Sequence, residues 1–159
     1  MDIHDFDTVE SCGLVVFRGN RVLLIQRKEK WDLPKGKHEE GEQYQETALR
    51  ETDEETGLLA QDLQVTRDLF PTYHVTQFNG KHYLKKTRWF LAKYTGPNDH
   101  VLFPQNDEGI TDVKWVSLSI IEQYLPEMRN YARYILDLTL QLLNLEQKRL
   151  KEKLTWGDC

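Results

Sequence analysis

Cysteine is nearly missing from this chain: Cys12 and Cys159 are the only two among 159 residues. Cys12 lies in an apolar run and Cys159 is the last residue, so no disulfide framework is expected. Long apolar stretches are missing as well, and none approaches the length of a membrane span. The start, Met1-Asp2-Ile3-His4-Asp5, is acidic and lacks the basic-then-apolar signature of a signal peptide. Positive charge is in deficit. A net charge of -5 gives no whole-molecule field that would draw nucleic acid or an anionic membrane. No repeat, low-complexity tract or Pro/Ser-rich linker divides the chain. The expectation is one domain over residues 1–159, cytoplasmic, a monomer or homodimer, with no nucleic-acid or membrane partner. With 39% apolar residues, a chain of this length can bury a core without disulfides or a structural metal. A polyanionic substrate would have to be drawn in by a local basic patch or by bound cations.

What is present is a pattern of strands, helix, strands and helices. Residues 12–18 and 21–27 are apolar and β-rich, and Gly19-Asn20 between them suits a tight hairpin turn. Residues 71–78 and 81–94 flank Asn79-Gly80, the strongest two-residue turn signal. Residues 112–116 form a further short strand. A first helix is expected over 42–56, stopped by Gly57. A second is expected over 118–125, with Ser119 and Glu122 spaced as a capping box. A third starts near Pro126 and runs to about 153, its end frayed. Tyr131, Tyr134, Ile135, Leu138, Leu142 and Leu145 mark its apolar stripe. That order argues for a mixed sheet with helices packed on it.

The chemistry concentrates in residues 36–58. Successive helical residues advance by about 100°, so Glu54 and Glu55 fall about 60° and 40° to either side of Glu51. Three carboxylates then share one face, where like charges repel. A hard divalent cation, Mg²⁺ or Mn²⁺, would relieve that repulsion and also bind phosphate oxygens. Arg50 would offset part of the charge, with Glu42 as its partner. The competing reading is a solvated acidic face, which leaves the Gly36 and Gly41 punctuation and the lone Arg50 unexplained.

Gly36, Glu42, Arg50, Glu51, Glu54, Glu55, Gly57 and Leu58 match in register the signature of the Nudix family, which this segment resembles. Average usage puts a chance match of the seven fixed identities on the order of 10⁻⁸ per start point. Thr52 departs from the pattern, where an aliphatic residue is usual. A buried Thr can bond back to the carbonyl one turn earlier, so the departure touches stability rather than chemistry. Trp31-Asp32-Leu33-Pro34-Lys35-Gly36 is similar to the lead-in of Nudix enzymes acting on dinucleoside or diphosphoinositol polyphosphates. Phe70-Pro71-Thr72-Tyr73, Trp89-Phe90-Leu91, Glu108-Gly109-Ile110-Thr111 and Trp115-Val116 are similar to the small diadenosine polyphosphate hydrolases. The resemblance covers about residues 10–125.

The resemblance implies an α/β fold, the Nudix α/β/α sandwich with a mixed β-sheet and helices on both sides. It implies Glu51, Glu54 and Glu55 as metal ligands, the Gly36 carbonyl as another, and Arg50 with Glu42 as a supporting ion pair. Glu108 is the candidate acid outside the box, with an exposed turn residue as the alternative. Glu54, Glu55 or Glu108 would be the base that activates water. Arg27, Lys35, Lys86 and Arg88 are candidates for phosphate contact, as is Lys85, although strand alternation puts Lys85 on the face opposite Lys86 and Arg88. Tyr73, Tyr83 or Phe103 could stack on a base or belong to the core. His38 and His74 lack ligand-like spacing. The implied activity is metal-dependent hydrolysis of a phosphoanhydride in a nucleoside-diphosphate-type substrate, a dinucleoside polyphosphate foremost. A diphosphoinositol polyphosphate, ADP-ribose or a nucleotide sugar, and a non-catalytic nucleotide sensor are the alternatives.

Overall fold

The computed structural model describes residues 6–157, with side chains described as far as residue 153. The expectations placed on the first five residues and on Cys159 lie outside the described residues. Cys12 is a buried free thiol.

Strands β1 (Asp7–Arg18) and β2 (Arg21–Arg27) form the first hairpin about Gly19-Asn20. Two three-residue strands follow, β3 (Lys30–Asp32) and β4 (Lys35–Lys37). Helix α1 (Tyr44–Thr56) comes next, then β5 (Leu63–Asp68). The second hairpin, β6 (Thr72–Phe78) with β7 (Lys81–Tyr94), turns at Asn79 (φ 50°) and Gly80 (φ 77°). β8 (Ile110–Ser117) and helix α2 (Asn130–Gly157) complete the order.

β1 is central. It runs parallel to β7 from Asp7 opposite Tyr83 to Phe17 opposite Lys93, while the remaining pairings are antiparallel, so the sheet is mixed as expected. Alternation sends side chains to two cores. Leu14, Val16, Leu23, Ile25, Phe90 and Ala92 pack with Ala48 of α1 on one face. Val15, Val22, Leu24, Trp89 and Leu91 pack with Ala132, Ile135 and Leu136 of α2 on the other. Helices therefore cover both faces, because the central strands β1, β2 and β7 carry apolar residues in both registers.

Helix α1 begins two residues later than expected. The Glu46 carboxylate accepts the Gln43 N–H at 3.2 Å and supplies negative charge to the first turn. Gly57 ends it at φ 79°, its N–H on the Asp53 carbonyl at 2.9 Å. The Thr52 hydroxyl donates to the Ala48 carbonyl at 2.8 Å, which is how a threonine sits in the aliphatic position.

The C-terminal third departs from expectation. Residues 118–125 form no α-helix; only a 3₁₀ turn over Ile121–Gln123 appears. The Ser117 hydroxyl, rather than a Ser119–Glu122 box, takes the Ser119 N–H at 3.3 Å. Pro126 lies in another 3₁₀ turn, Leu125–Glu127, and Met128 is extended. The Arg129 N–H bonds the Trp31 carbonyl of β3 at 2.9 Å, so α2 starts only at Asn130. It is helical through Gly157.

Ile135 is fully buried between α2 and the sheet. Ile135→Ala should lower unfolding free energy by about 2–5 kcal/mol, read as a shift in the urea midpoint at constant slope.

Candidate active site

Local irregularities bring the site together. A register shift between Gln26 and Arg27 re-aims the end of β2. Lys28 (φ 51°) and Glu29 (φ 63°) then reverse the chain into β3. β4 pairs with the middle of β1, Gly36 opposite Cys12, and so presses Lys35 and Gly36 against α1. Gly36 has no room for a side chain, since an added Cβ would lie 1.9 Å from the Glu51 carboxyl carbon.

The carboxylates of Glu51, Glu55 and Glu108 each place an oxygen within 4.8 Å of the others. Glu51 and Glu55 come from α1, and Glu108 from the 3₁₀ turn Asn106–Glu108, which Gly109 ends at φ 81°. Glu55 is 1% exposed. It accepts from Arg27 Nη2 at 3.1 Å and from the Lys35 N–H at 3.2 Å. Burial nevertheless pushes its carboxyl up to about 7, against the pull of Lys35 and Arg27. Glu51 is raised by burial too, with Glu54 and Glu108 adding repulsion and Arg50 opposing it. An all-oxygen set of under-compensated carboxylates is the donor chemistry of a hard divalent cation. Gly36 packs against the Glu51 carboxyl, and its carbonyl accepts the Ser11 hydroxyl at 2.9 Å.

Arg50 ties the cluster to the loop before it. Its Nε and Nη2 grip the two Glu42 oxygens at 2.8 and 2.9 Å, and Nη1 reaches Glu51 at 2.9 Å. Nη2 also donates to the Lys37 carbonyl at 3.1 Å. The bidentate pair holds the Glu42 carboxyl down at about 2. Glu54 lies outside the 4.8 Å group. It meets Arg50 only at 3.4 Å, with its side chain 43% exposed.

The basic candidates divide. Arg27 reaches Glu55, and its own Nε is buried without a partner. Lys35 lies beside the cluster, but its ammonium is paired with Asp32 at 2.8 Å. Lys86 and Arg88 are not brought to the carboxylates. They sit on the α1 face of β7, Lys86 over Tyr73 and Arg88 between Tyr44 and Glu10. Tyr73 is with them, 54% exposed. The other register of β7 supplies Lys85 instead. Its ammonium is lowered by burial and by the neighbouring charges of Lys35 and Arg27, with Asp32 and Glu55 opposing. The alternation from Leu91 through Trp89 and Thr87 to Lys85 is the signal that marks it as inward-facing. Tyr83 pairs with Lys81 at 5.2 Å, and Phe103 is exposed.

Beside Lys85, on the same face, His74 stacks on Tyr131 with ring centres 4.4 Å apart. A groove of about 620 Å³ opens there, lined by Tyr73, His74, Arg129, Tyr131 and Tyr134. The clustered carboxylates line neither this groove nor those at the start of α1 and beside Leu140 and Leu143. His38 bonds Thr47 at 2.8 Å, away from the cluster.

Fold and site together define an α/β/α sandwich whose first helix presents a carboxylate cluster beside the buried Lys35 and the half-buried Arg27 and Lys85. The NUDIX domain model matches residues 8–138, and the chain belongs to the Nudix family. Among curated relatives it is similar to the RNA pyrophosphohydrolase of Cereibacter sphaeroides, 33% identical over 94 residues. That match covers 54% of this chain and spans 58% of the relative's length. Among solved structures it is similar to a C. elegans Ap4A hydrolase binary complex, with TM-score 0.65, 23% identity, and 86% of this chain and 98% of that one covered. A second structure of C. elegans Ap4A hydrolase matches at 28% identity and TM-score 0.54, covering 74% and 86%. No described helix is long and apolar enough to cross a membrane.

Glu55 makes metal-free stability depend on pH. Its folded pKa is raised, so its contribution favours folding at low pH and is lost as pH rises from 4.5 through about 7. Urea midpoints without metal should fall across that window, and Glu55→Gln should flatten the fall. Gly36→Ala should displace the Glu51 carboxyl and weaken Mn²⁺ binding by about 10-fold or more, while the melting temperature changes little. Calorimetric titration beside a thermal scan reads both.

Proposed function

We propose that this chain is a divalent-metal-dependent pyrophosphohydrolase that opens a phosphoanhydride in a nucleoside polyphosphate, with a dinucleoside polyphosphate as the substrate that suits the site. The observation that carries the reading is the gathering of Glu51, Glu55 and Glu108 within 4.8 Å, beside the unpartnered Arg27 Nε and the inward Lys85. Glu51, Glu55, Glu108 and the Gly36 carbonyl would hold Mg²⁺ or Mn²⁺, whose chemistry when bound is to neutralise phosphoryl oxygens and acidify a water.

The chain's own groups do the rest. Arg27 and Lys85 take phosphoryl oxygens through charge-assisted bonds. Arg50, clamped by Glu42, keeps Glu51 in place. Glu54, exposed and only loosely held by Arg50, takes the proton from the attacking water. The groove at Tyr73, His74, Tyr134 and Arg129 offers aromatic faces to a nucleoside at the far end of the phosphate chain, with Tyr73 in the stacking role expected of it. Burial of Lys85 keeps water from screening its charge.

A second reading is favoured by the name of the curated relatives, RNA pyrophosphohydrolase: the substrate would be a 5′-triphosphate at the end of an RNA. That would replace the expectation of no nucleic-acid partner with recognition of one end only.

A turnover screen with Mg²⁺ decides between them. Diadenosine polyphosphates of increasing length, triphosphate-ended RNA, a diphosphoinositol polyphosphate and ADP-ribose are the arms. Catalytic efficiency should rise with phosphate number and exceed that on ADP-ribose. Glu55→Gln should lower turnover by about 10²–10³-fold without loss of fold. Preference for the RNA end selects the second reading; no metal-dependent turnover on any arm sinks both.

A further inference from the structure

Lys35 is 6% exposed and its ammonium is turned inward. Nζ donates to Asp32 Oδ2 at 2.8 Å and lies 5.1 Å from the centre of the Tyr131 ring. Asp32, 3% exposed, also accepts the Leu33 N–H at 2.7 Å and the Tyr131 hydroxyl. All its bonds are therefore internal. The backbone N–H of the same Lys35 donates to Glu55 at 3.2 Å, and Gly36 is the next residue. A continuous chain of contacts leads from the first turn of α2 to the carboxylate cluster.

Two further contacts fasten that turn to the segment holding Asp32. Tyr124 stands edge-on to Trp31 with ring centres 5.2 Å apart, and the Arg129 N–H bonds the Trp31 carbonyl. His74 stacks on the Tyr131 ring with centres 4.4 Å apart. A buried ion pair holds one geometry only when its spare lone pairs and protons are also satisfied. The Tyr131 hydroxyl is the group that completes Asp32.

We infer that Tyr131 is a positioning residue: through Asp32 and Lys35 it holds the turn whose N–H orients Glu55, so the C-terminal helix sets the geometry of the carboxylate cluster. Lys35 then works through its backbone and its buried pair. Phosphate contact is left to Arg27 and Lys85. The inference rests on the metal-dependent reading above.

Tyr131→Phe in the full chain tests it, because the ring and its stacking on His74 stay while the hydroxyl goes. Calorimetric Mn²⁺ titration should show binding weakened by about 10-fold, the scale for groups that orient metal ligands. The kcat on a diadenosine polyphosphate should fall with KM unchanged. Asp32→Asn should act in the same direction and supplies the test should Tyr131→Phe not fold; the double variant should lose less than the two losses combined. A raised KM at constant kcat would mean that the hydroxyl touches substrate and would overturn the inference. So would a lowered melting temperature with metal binding intact. Wild-type protein that binds no Mn²⁺ sinks the reading of the site and this inference with it. Equal binding by wild type and Tyr131→Phe sinks the inference alone.

Discussion

Keeping carboxylates out of water on one side of a helix is the constraint around which this molecule is arranged. Glu51 and Glu55 are buried although each gains only partial compensation, and burying a charge without full pairing is among the larger penalties a fold can carry. The surroundings read as responses to it. Arg50 is held on Glu42 and leans on Glu51. Arg27 arrives through a shifted β register. The Lys35 N–H is delivered by a short strand, and Gly36 lacks the Cβ that would collide. Remove the carboxylates and these features lose their common reason.

Compensation stays incomplete, and incompletely on one side. The cations around Glu55 approach from β2 and β4, while Glu108 adds a third negative group from the opposite loop. Three acidic groups meeting within 4.8 Å suit a divalent ion. Arg27, 3.1 Å from Glu55, and the half-buried Lys85 supply positive charge on the neighbouring side, which suits phosphate. A site with both signs side by side suits a cation–polyphosphate complex better than either component alone. An overall charge of -5 is no obstacle to an anionic substrate under those conditions.

What was legible in the sequence follows the range of each interaction. The box residues lie within one helix and its approach, so 3.6-residue periodicity placed Glu51, Glu54 and Glu55, and the Arg50–Glu42 pair came with them. Glu54 nonetheless lies outside the tight group, because rotamers are not a matter of periodicity. The hairpin at Asn79-Gly80 was plain from two residues. β3 and β4, three residues each, are too short to show alternation; β3 turns back on β2 through Lys28-Glu29, which carry no glycine signal, and the pairing of β4 with β1 is not local. β5 carries its signal in Leu63 and Val65 and was open to detection. Lys86 and Arg88 were favoured over Lys85 from sequence, and here periodicity has a different limit. Alternation separates the two faces of β7 but does not say which one meets the site. The Asp32–Tyr131 contact joins residues 99 apart in sequence, beyond any local pattern. Pro126 suggested a helix start that the Trp31 carbonyl, a tertiary partner, moved to Asn130.

The parallel pairing of β1 with β7 has a bearing on how the molecule comes into being. Glu10 and Arg88, which meet across that pair, are 78 residues apart in the chain. Non-local pairing of this kind is slow, because the loop must close before contacts repay it. During synthesis the first strand emerges long before its parallel neighbour, and α1 follows while one face of its sheet partner is still unpaired. Glu51 and Glu55 are made well before Glu108, and Tyr131 comes later still, so the three carboxylates cannot meet, nor their support be complete, until most of the chain exists.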